Sequence, residues 1–334
     1  MRGKRFIRGV AIVLAICVVT TAAWAGEVEV LHWWTSGGEA AAVQQLQKML
    51  KTEGHTWKDF AVAGGAGANA MTALKSRAVS GNPPTAAQVK GPQIQEWADL
   101  GVLTNLDDVA KAESWDKLVP KVVADIMKSD GQWVAVPVNV HRINWMWCNP
   151  MVFKKAGAQY PETWDEFFAA CEKIQKAGMI PVAFGGQPWQ EATAWESIVS
   201  GVGGPEFYMQ TMVQADEKAL ASSKMVEVFE IFRKIKKYTD RNAPGRDWNL
   251  ATAMVIKGEA GMQFMGDWAK GEFTAAGKVP GQDYDALTVP GTGNAFLFNV
   301  DSFIMFEVKD ADAQKAQKAM ARLVLSPDFQ VVFN

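Results

Sequence analysis

"EVEVLHWWTSGGEAAAVQQLQKML", Glu27–Leu50, contains a strand, a turn and a helix in 24 residues. Val28, Val30 and His32 alternate with their neighbours from Glu27 to Trp33, which is the period of an extended chain. Ser36 then stands where a helix cap belongs. Ala42, Val43, Leu46, Met49 and Leu50 recur at helical spacing. Between strand and helix lie two adjacent tryptophans, Trp33 and Trp34, then Thr35, Ser36 and two glycines. Neighbouring side chains in a strand point to opposite faces, so two large rings at its end are not expected to enter one core.

The same plan repeats downstream. "WKDFAVAGGAGANAMTALKSRAVSG" reads as a strand to Ala63, a glycine-rich turn and a helix through Leu74 and Val79; "TAAQVKGPQIQEWADLGVL" reads likewise. Three strand–loop–helix units in succession predict a parallel sheet covered by helices. Ligands of such sheets bind beyond the carboxyl ends of the strands, where Trp33-Trp34, Gly64 to Gly67 and Lys90-Gly91 fall. "GQWVAVPVNVHRINWMWCNPMVF" is extended and aromatic, and longer helices follow it. Thr163 and Glu166 have capping-box spacing ahead of a stripe of Phe167, Cys171 and Ile174. Ser222 or Ser223 caps a second helix with a stripe of Met225, Phe229, Phe232 and Ile235. "LATAMVIKGEAGMQFMGDW" gives a short helix, a turn at Gly258, a strand and then Asp267-Trp268. "AFLFNVDSFIMF" is a second extended run before a final helix, Asp312 to Leu325. The extended runs near residues 138–143 and 297–302 are expected to cross between two lobes.

The 334 residues carry a formal net charge of −2, with 49% hydrophobic and 21% charged residues, as in a soluble globular protein. The absence of a basic stripe argues against nucleic acid as a partner. Arg2, Lys4, Arg5 and Arg8, an apolar run from Val10 to Val19, and Ala23-Trp24-Ala25 together predict a signal peptide over residues 1–25, cleaved after Ala25. The run is shorter than the roughly 20 residues of a membrane span. Cys17 follows the bulky Ile16, a poor lipoprotein site. Cleavage would remove four positive charges and no acid, leaving about −6. Cys148 and Cys171 remain, and export would permit a disulfide or two buried thiols. His32, His55 and His141 are scattered without ligand spacing, so no metal is expected.

Gly65-x-Gly67-x-x-Ala70 has dinucleotide-binding spacing, but the acid expected about 20 residues on is missing from Thr85 to Lys90. Small residues that let backbone approach a neighbour explain it better, and no cofactor is expected. Tryptophan is abundant, at 14 residues. Trp97, Trp115 and Trp164 sit where core filling accounts for them. Trp33, Trp34 and Trp268 instead end strands beside glycine and polar groups. Flat apolar faces beside hydroxyl-binding groups suit a sugar ring. Glu39, Lys90, Asn299 and Asp301 are the candidate polar partners. Glu39 would also serve the first turn of a helix, Lys90 would also suit a solvated loop, and His141 reads as a packed or hinge residue.

Three stretches, "VLHWWTSGGE", "GQWVAVPVNVHRINWMWCN", and "KGEAGMQFMGDWAKGEF" with "LFNVDSFI" downstream, carry a resemblance. On them the chain resembles the periplasmic (extracytoplasmic) solute-binding proteins of sugar ABC transporters, nearest the glucose/mannose-binding members. The resemblance implies an α/β, two-lobed periplasmic-binding-protein fold, each lobe a mainly parallel sheet flanked by helices, joined by extended hinge strands. Residues 26–140 would begin lobe 1, 141–300 form lobe 2 and 301–334 return to lobe 1. It implies a periplasmic, non-catalytic, monomeric protein that binds glucose or a related monosaccharide and hands it to a membrane permease or shows it to a chemoreceptor. Trp33, Trp34 and Trp268 would pack on the sugar, and Glu39, Lys90, Asn299 and Asp301 would bind its hydroxyls. The competing expectation is an exported glycoside hydrolase using Glu39 and Asp301, although nothing in the sequence marks either as an acid of raised pKa. Relatives continue beyond "SPDFQVVFN". Leu323, Val324, Val331, Val332 and Phe333 are therefore expected to form an uncovered apolar surface at a truncated end.

Overall fold

The computed structural model describes residues 25–333, so the proposed leader lies, but for Ala25, outside the described residues. Strand β1 (Glu27–His32) leads through helix α1 (Gly37–Thr52) to β2 (Thr56–Ala61), and helix α2 (Ala68–Val79) leads to β3 (Ala86–Lys90). β2 and β3 lie parallel on either side of β1. Parallel neighbours need a crossover, and the two helices supply it. β4 (Ala135–Pro137) belongs to the same five-stranded sheet, although it does not pair with β3. The strand between them is β11 (Asp301–Met305), antiparallel to both, which comes from the far end of the chain. Four of the six β1 residues are buried, three of them in succession (Val30, Leu31 and His32), as in a sheet covered on both faces.

The second sheet has the order β9-β6-β8-β7, from β6 (Trp145–Cys148), β7 (Ile180–Val182), β8 (Ala260–Phe264) and β9 (Asp285–Thr288). β7 is parallel to β8, while β6 runs antiparallel to β8 and β9. Helices α3 (Trp164–Lys176), α4 (Pro188–Tyr208), α5 (Ser223–Ile235), α6 (Trp248–Ile256) and α7 (Ala269–Ala275) are drawn from this stretch of chain. Each sheet has its own core. Val30, Leu46, Leu74, Phe303, Met320 and Phe329 belong to the first, and Met146, Phe167, Ile198, Val228 and Phe264 to the second. Fully burying one such side chain contributes about 1.5–3 kcal/mol.

Between the two sheets the chain crosses as a small antiparallel ribbon. β5 (His141–Arg142) pairs with β10 (Phe298–Asn299). The ribbon is continued by Ile143 N–H donating to Leu297 and Val138 N–H donating to Asp301. Both lie inside the extended runs read from the sequence.

Two expectations need correction, and a third, left open between a disulfide and two thiols, is decided. Phe229 is expected in the apolar stripe of its helix, yet it is 58% exposed and packs on the ring of Trp195, while Val228 beside it is buried. Met225 and Ile235 are buried as expected and Phe232 packs half-buried on the core, so the stripe shifts by one residue only in its middle turns, where a β-branched residue precedes each phenylalanine. The apolar surface at the chain end is also smaller than expected. Leu323 and Val324, on α8 (Ala311–Val324), are buried, and Phe333, on α9 (Pro327–Phe333), packs on Trp34; Val331 and Val332 are exposed. The cysteines are both free and buried in the second core, and burial pushes both thiols up, so they stay protonated.

Candidate functional site

The cleft between the two sheets is lined by Trp33, Trp34, Glu39, Lys90, Trp268, Asn299 and Asp301, the residues singled out from the sequence, together with His141 and Asp267. The first sheet supplies most of one wall. Trp33 follows β1 directly, and its backbone N–H donates to buried Gln88 Oε1 at 3.0 Å. Lys90, the last residue of β3, donates from Nζ to the carbonyl of Ala66 at 2.9 Å and holds its ammonium 5.2 Å from the centre of the Trp33 ring. The glycine-rich turn has a packing role here. Gly67 lies at φ +96°, and a Cβ there would come within 2.8 Å of the Trp33 ring. The small residues therefore let the turn close over an indole.

The two tryptophans do not divide between core and ligand as the strand alternation suggested. Trp33 is 8% and Trp34 4% exposed, and both join the first core while presenting a face to the cleft. They can do so because the strand ends at His32 and the chain turns before alternation sends the rings apart. Trp34 stands edge-on to Phe303, 5.6 Å between centroids. Trp268 is half-buried in the opposite wall, edge-on to His141 at 5.1 Å and tilted against Trp189 at 6.1 Å. A Cβ on Gly266 would strike its ring at 2.1 Å, so the glycine two residues earlier makes room for it.

Glu39 serves its helix and the cleft at once. Ser36 Oγ accepts from the Glu39 N–H, and the Glu39 carboxylate accepts from the Ser36 N–H at 3.2 Å, a complete capping box. Burial pushes this carboxyl up to about 7; the bonds from Ser36 hold it down and the nearby charge of Asp301 adds to the rise. A raised-pKa acid is what the sequence did not reveal.

His141 is more than a packed residue. Its Nδ1 lies 2.5 Å from Asp267 Oδ1 and its Nε2 3.3 Å from Asp301 Oδ2. Asp301 opens β11 in the first sheet, and Asp267 follows β8 in the second. The imidazole on the crossing strand thus joins the two lobes. Burial alone would push the imidazole down, but the bonds to Asp267 and then Asp301 outweigh it and hold the pKa at about 9. Asp301 is likewise buried, yet its bond to His141 holds the carboxyl below the usual range. Asn139 donates to Asp301 Oδ2 at 3.4 Å and accepts from its backbone N–H at 3.1 Å. Asn299 lines the cleft half-buried from β10, opposite His141 in the ribbon. Asp267, Gln88 and Asn139 were not singled out from the sequence as site residues. Asp267 stands next to Trp268 in the chain, a signal that could have found it.

The sequence pattern of the bacterial extracellular solute-binding proteins matches residues 34–331. A protein of Rhizobium meliloti (strain 1021) described as a probable sugar-binding periplasmic protein is 49% identical over 99% of this chain and 80% of its own length. One of the same description from Brucella melitensis biotype 1 is 48% identical over 97% of this chain and 76% of its own. Among solved structures, a chitin oligosaccharide binding protein superposes with a TM-score of 0.78 at 21% identity, covering 91% of this chain and 78% of that one. A bacterial solute receptor with an exclusive preference for β-D-galactopyranose gives 0.75 at 22% identity, covering 92% and 78%. These likenesses speak for the two-lobed fold that the two sheets and their ribbon form. By sequence and by fold, this chain belongs to the bacterial extracellular solute-binding proteins.

Proposed function

We propose that the cleft binds a sugar, glucose or a related monosaccharide, and that the protein presents it to the permease of an ABC importer without chemical change. The observation that carries this reading is the meeting of three indole rings and four polar residues, Glu39, Lys90, Asn299 and Asp301, on the walls of one cleft. Indole faces suit the C–H face of a pyranose, and the polar groups suit its hydroxyls. The descriptions of the Rhizobium and Brucella relatives support sugar as the ligand class and the periplasm as the compartment. A monomer that also meets a chemoreceptor is compatible with the same exposed lobes.

The test is calorimetric titration with hexoses, their deoxy analogues and disaccharides. A buried polar group left unpaired costs about 1–3 kcal/mol, so a deoxy sugar lacking a contacted hydroxyl is expected to bind roughly 5- to 150-fold more weakly. Equal affinity for glucose and all its deoxy analogues sinks the hydroxyl-reading site.

Glycoside hydrolysis is the second reading, favoured by the raised pKa of Glu39. Such enzymes need two carboxyls across one bond, one of them a free nucleophile or base. Asp301 is instead held by His141 and Asn139. Release of reducing ends from oligosaccharides would decide for the enzyme.

Glu39 also gives binding a pH signature. Above about pH 7 it is a carboxylate, and hydrogen bonds to a charged acceptor are the stronger ones. Sugar affinity is expected to fall as pH drops from 8 to 6. Glu39→Gln should lose about 10- to 150-fold at pH 8 and bind with a flat pH profile, while keeping the capping box. Because the folded state holds this carboxyl above its ordinary 4.5, its neutral form favours folding below that value and the benefit is lost as pH rises through 7. The variant should therefore melt higher than the parent at pH 8 but not at pH 4. Equal pH profiles of binding for the two proteins would rule this out.

A further inference from the structure

The two glycines of "SGGE" are explained neither by a turn nor by the sugar site. Gly37 and Gly38 open α1, and neither has a positive φ. A helix leaves its first N–H groups without partners inside the helix. Ser36 Oγ satisfies that of Glu39. The N–H of Gly38 is satisfied from across the cleft, by Glu272 Oε1 at 3.0 Å. Glu272 belongs to the first turn of α7, which follows β8 of the second sheet. The backbones touch at the same place. A Cβ on Gly38 would come within 2.8 Å of the carbonyl carbon and 3.0 Å of the Cα of Gly271. At Gly37 a Cβ would already be in contact with the Glu272 carboxylate, at 3.8 Å.

We infer that Glu272 and Gly38 form an inter-lobe latch that sets how tightly the protein holds its ligand. When the lobes are together, a carboxylate sits on the positive end of a 16-residue helix and takes one of its free N–H groups. When they part, both groups return to water. The latch therefore favours the closed form, and apparent affinity scales with the population of the binding-competent form. Glu272 is a positioning residue, since the cleft is lined by Gly38 and Gly271 and not by Glu272 itself. Gly38 is needed because a Cβ there would press on the backbone of Gly271 and move the helices apart. The effect on ligand rests on the reading of the cleft as a sugar site, whereas the contact between lobes does not.

The experiment uses the mature protein with Lys48→Cys and Lys218→Cys, exposed positions on the two lobes, as spin-label sites; the native cysteines are buried. Inter-lobe distances are measured without sugar and through a glucose titration, for the parent, Glu272→Ala and Gly38→Ala. Both variants should lose part of the short-distance population and bind glucose about 10-fold more weakly, with faster dissociation and an unchanged association rate. Gly38→Ala separates this from a local defect. Alanine favours a helix over glycine, so its melting temperature should hold or rise while its affinity falls. Distances equal to the parent's at every glucose concentration in both variants overturn the latch, as does a parent without any short-distance population. If no sugar moves the distances in any form, the sugar reading fails, and the ligand-free populations still judge the latch.

Discussion

Trp268→Ala is expected to weaken sugar binding by about 30-fold or more while costing far less stability than Trp34→Ala. A tryptophan that anchors a contact typically carries at least about 2 kcal/mol, which is that factor in affinity. Trp268 is half-buried, with its remaining face on the cleft and its neighbours His141 and Trp189 at its edges. Trp34 is 4% exposed and wedged between Phe303 and Phe333. Emptying such a site costs about 3–5 kcal/mol of stability. Trp33 should lose both, since it is buried in the first core and also lies under Lys90 at the cleft wall. Urea unfolding and calorimetric titration of the three variants separate the two quantities. If Trp268→Ala keeps full affinity and is destabilised as much as Trp34→Ala, the ring is structural.

The contrast among the three tryptophans marks how far the sequence could be read. Strand β1 and helix α1 were legible because alternation, a serine cap and helical spacing followed one another within a single stretch. The extended crossings were legible because β-branched and aromatic runs without helical spacing stand out between helices. Each candidate site residue came from a local signal: the rings and Lys90 from strand ends, Glu39 from its place just past the tryptophan pair, Asn299 and Asp301 from alternation within an apolar run; those signals fall together on the cleft. What the chain could not reveal is pairing over long separations. Asp267 and Asp301 meet one imidazole from two different sheets. Glu272 reaches Gly38 over a separation of 234 residues. The phase of the stripe at Phe229 failed for a related reason: which of several apolar residues faces inward is decided by the surface it meets, here the ring of Trp195.

His141→Ala is expected to lower stability by about 3–5 kcal/mol near neutral pH, because removing one partner of a buried ion pair leaves the other uncompensated. The cost should fall mainly on Asp301, whose side chain is 6% exposed against 35% for Asp267. The pH dependence separates this from simple loss of packing. With its pKa raised from 6.5 to about 9, the imidazole contributes stability that is fully present below 6.5 and lost as pH rises through 9. Asp301 has the opposite sense. Its carboxyl is held below its ordinary 3.8, so its contribution is present above that value and lost on further acidification. The parent should thus hold the full benefit of the triad between about pH 4 and 6.5 and decline toward pH 9.5. His141→Ala should lack the alkaline decline, so the two stability curves converge at high pH. Because the imidazole ties Asp301 of one sheet to Asp267 of the other, the variant should also hold its lobes together less well and bind sugar more weakly at pH 7 than at the convergence point, relative to the parent. Denaturant unfolding at half-unit steps from pH 4 to 9.5 measures both curves. A constant difference between them across that range would mean that His141 acts through packing alone, with no protonated bridge between the lobes.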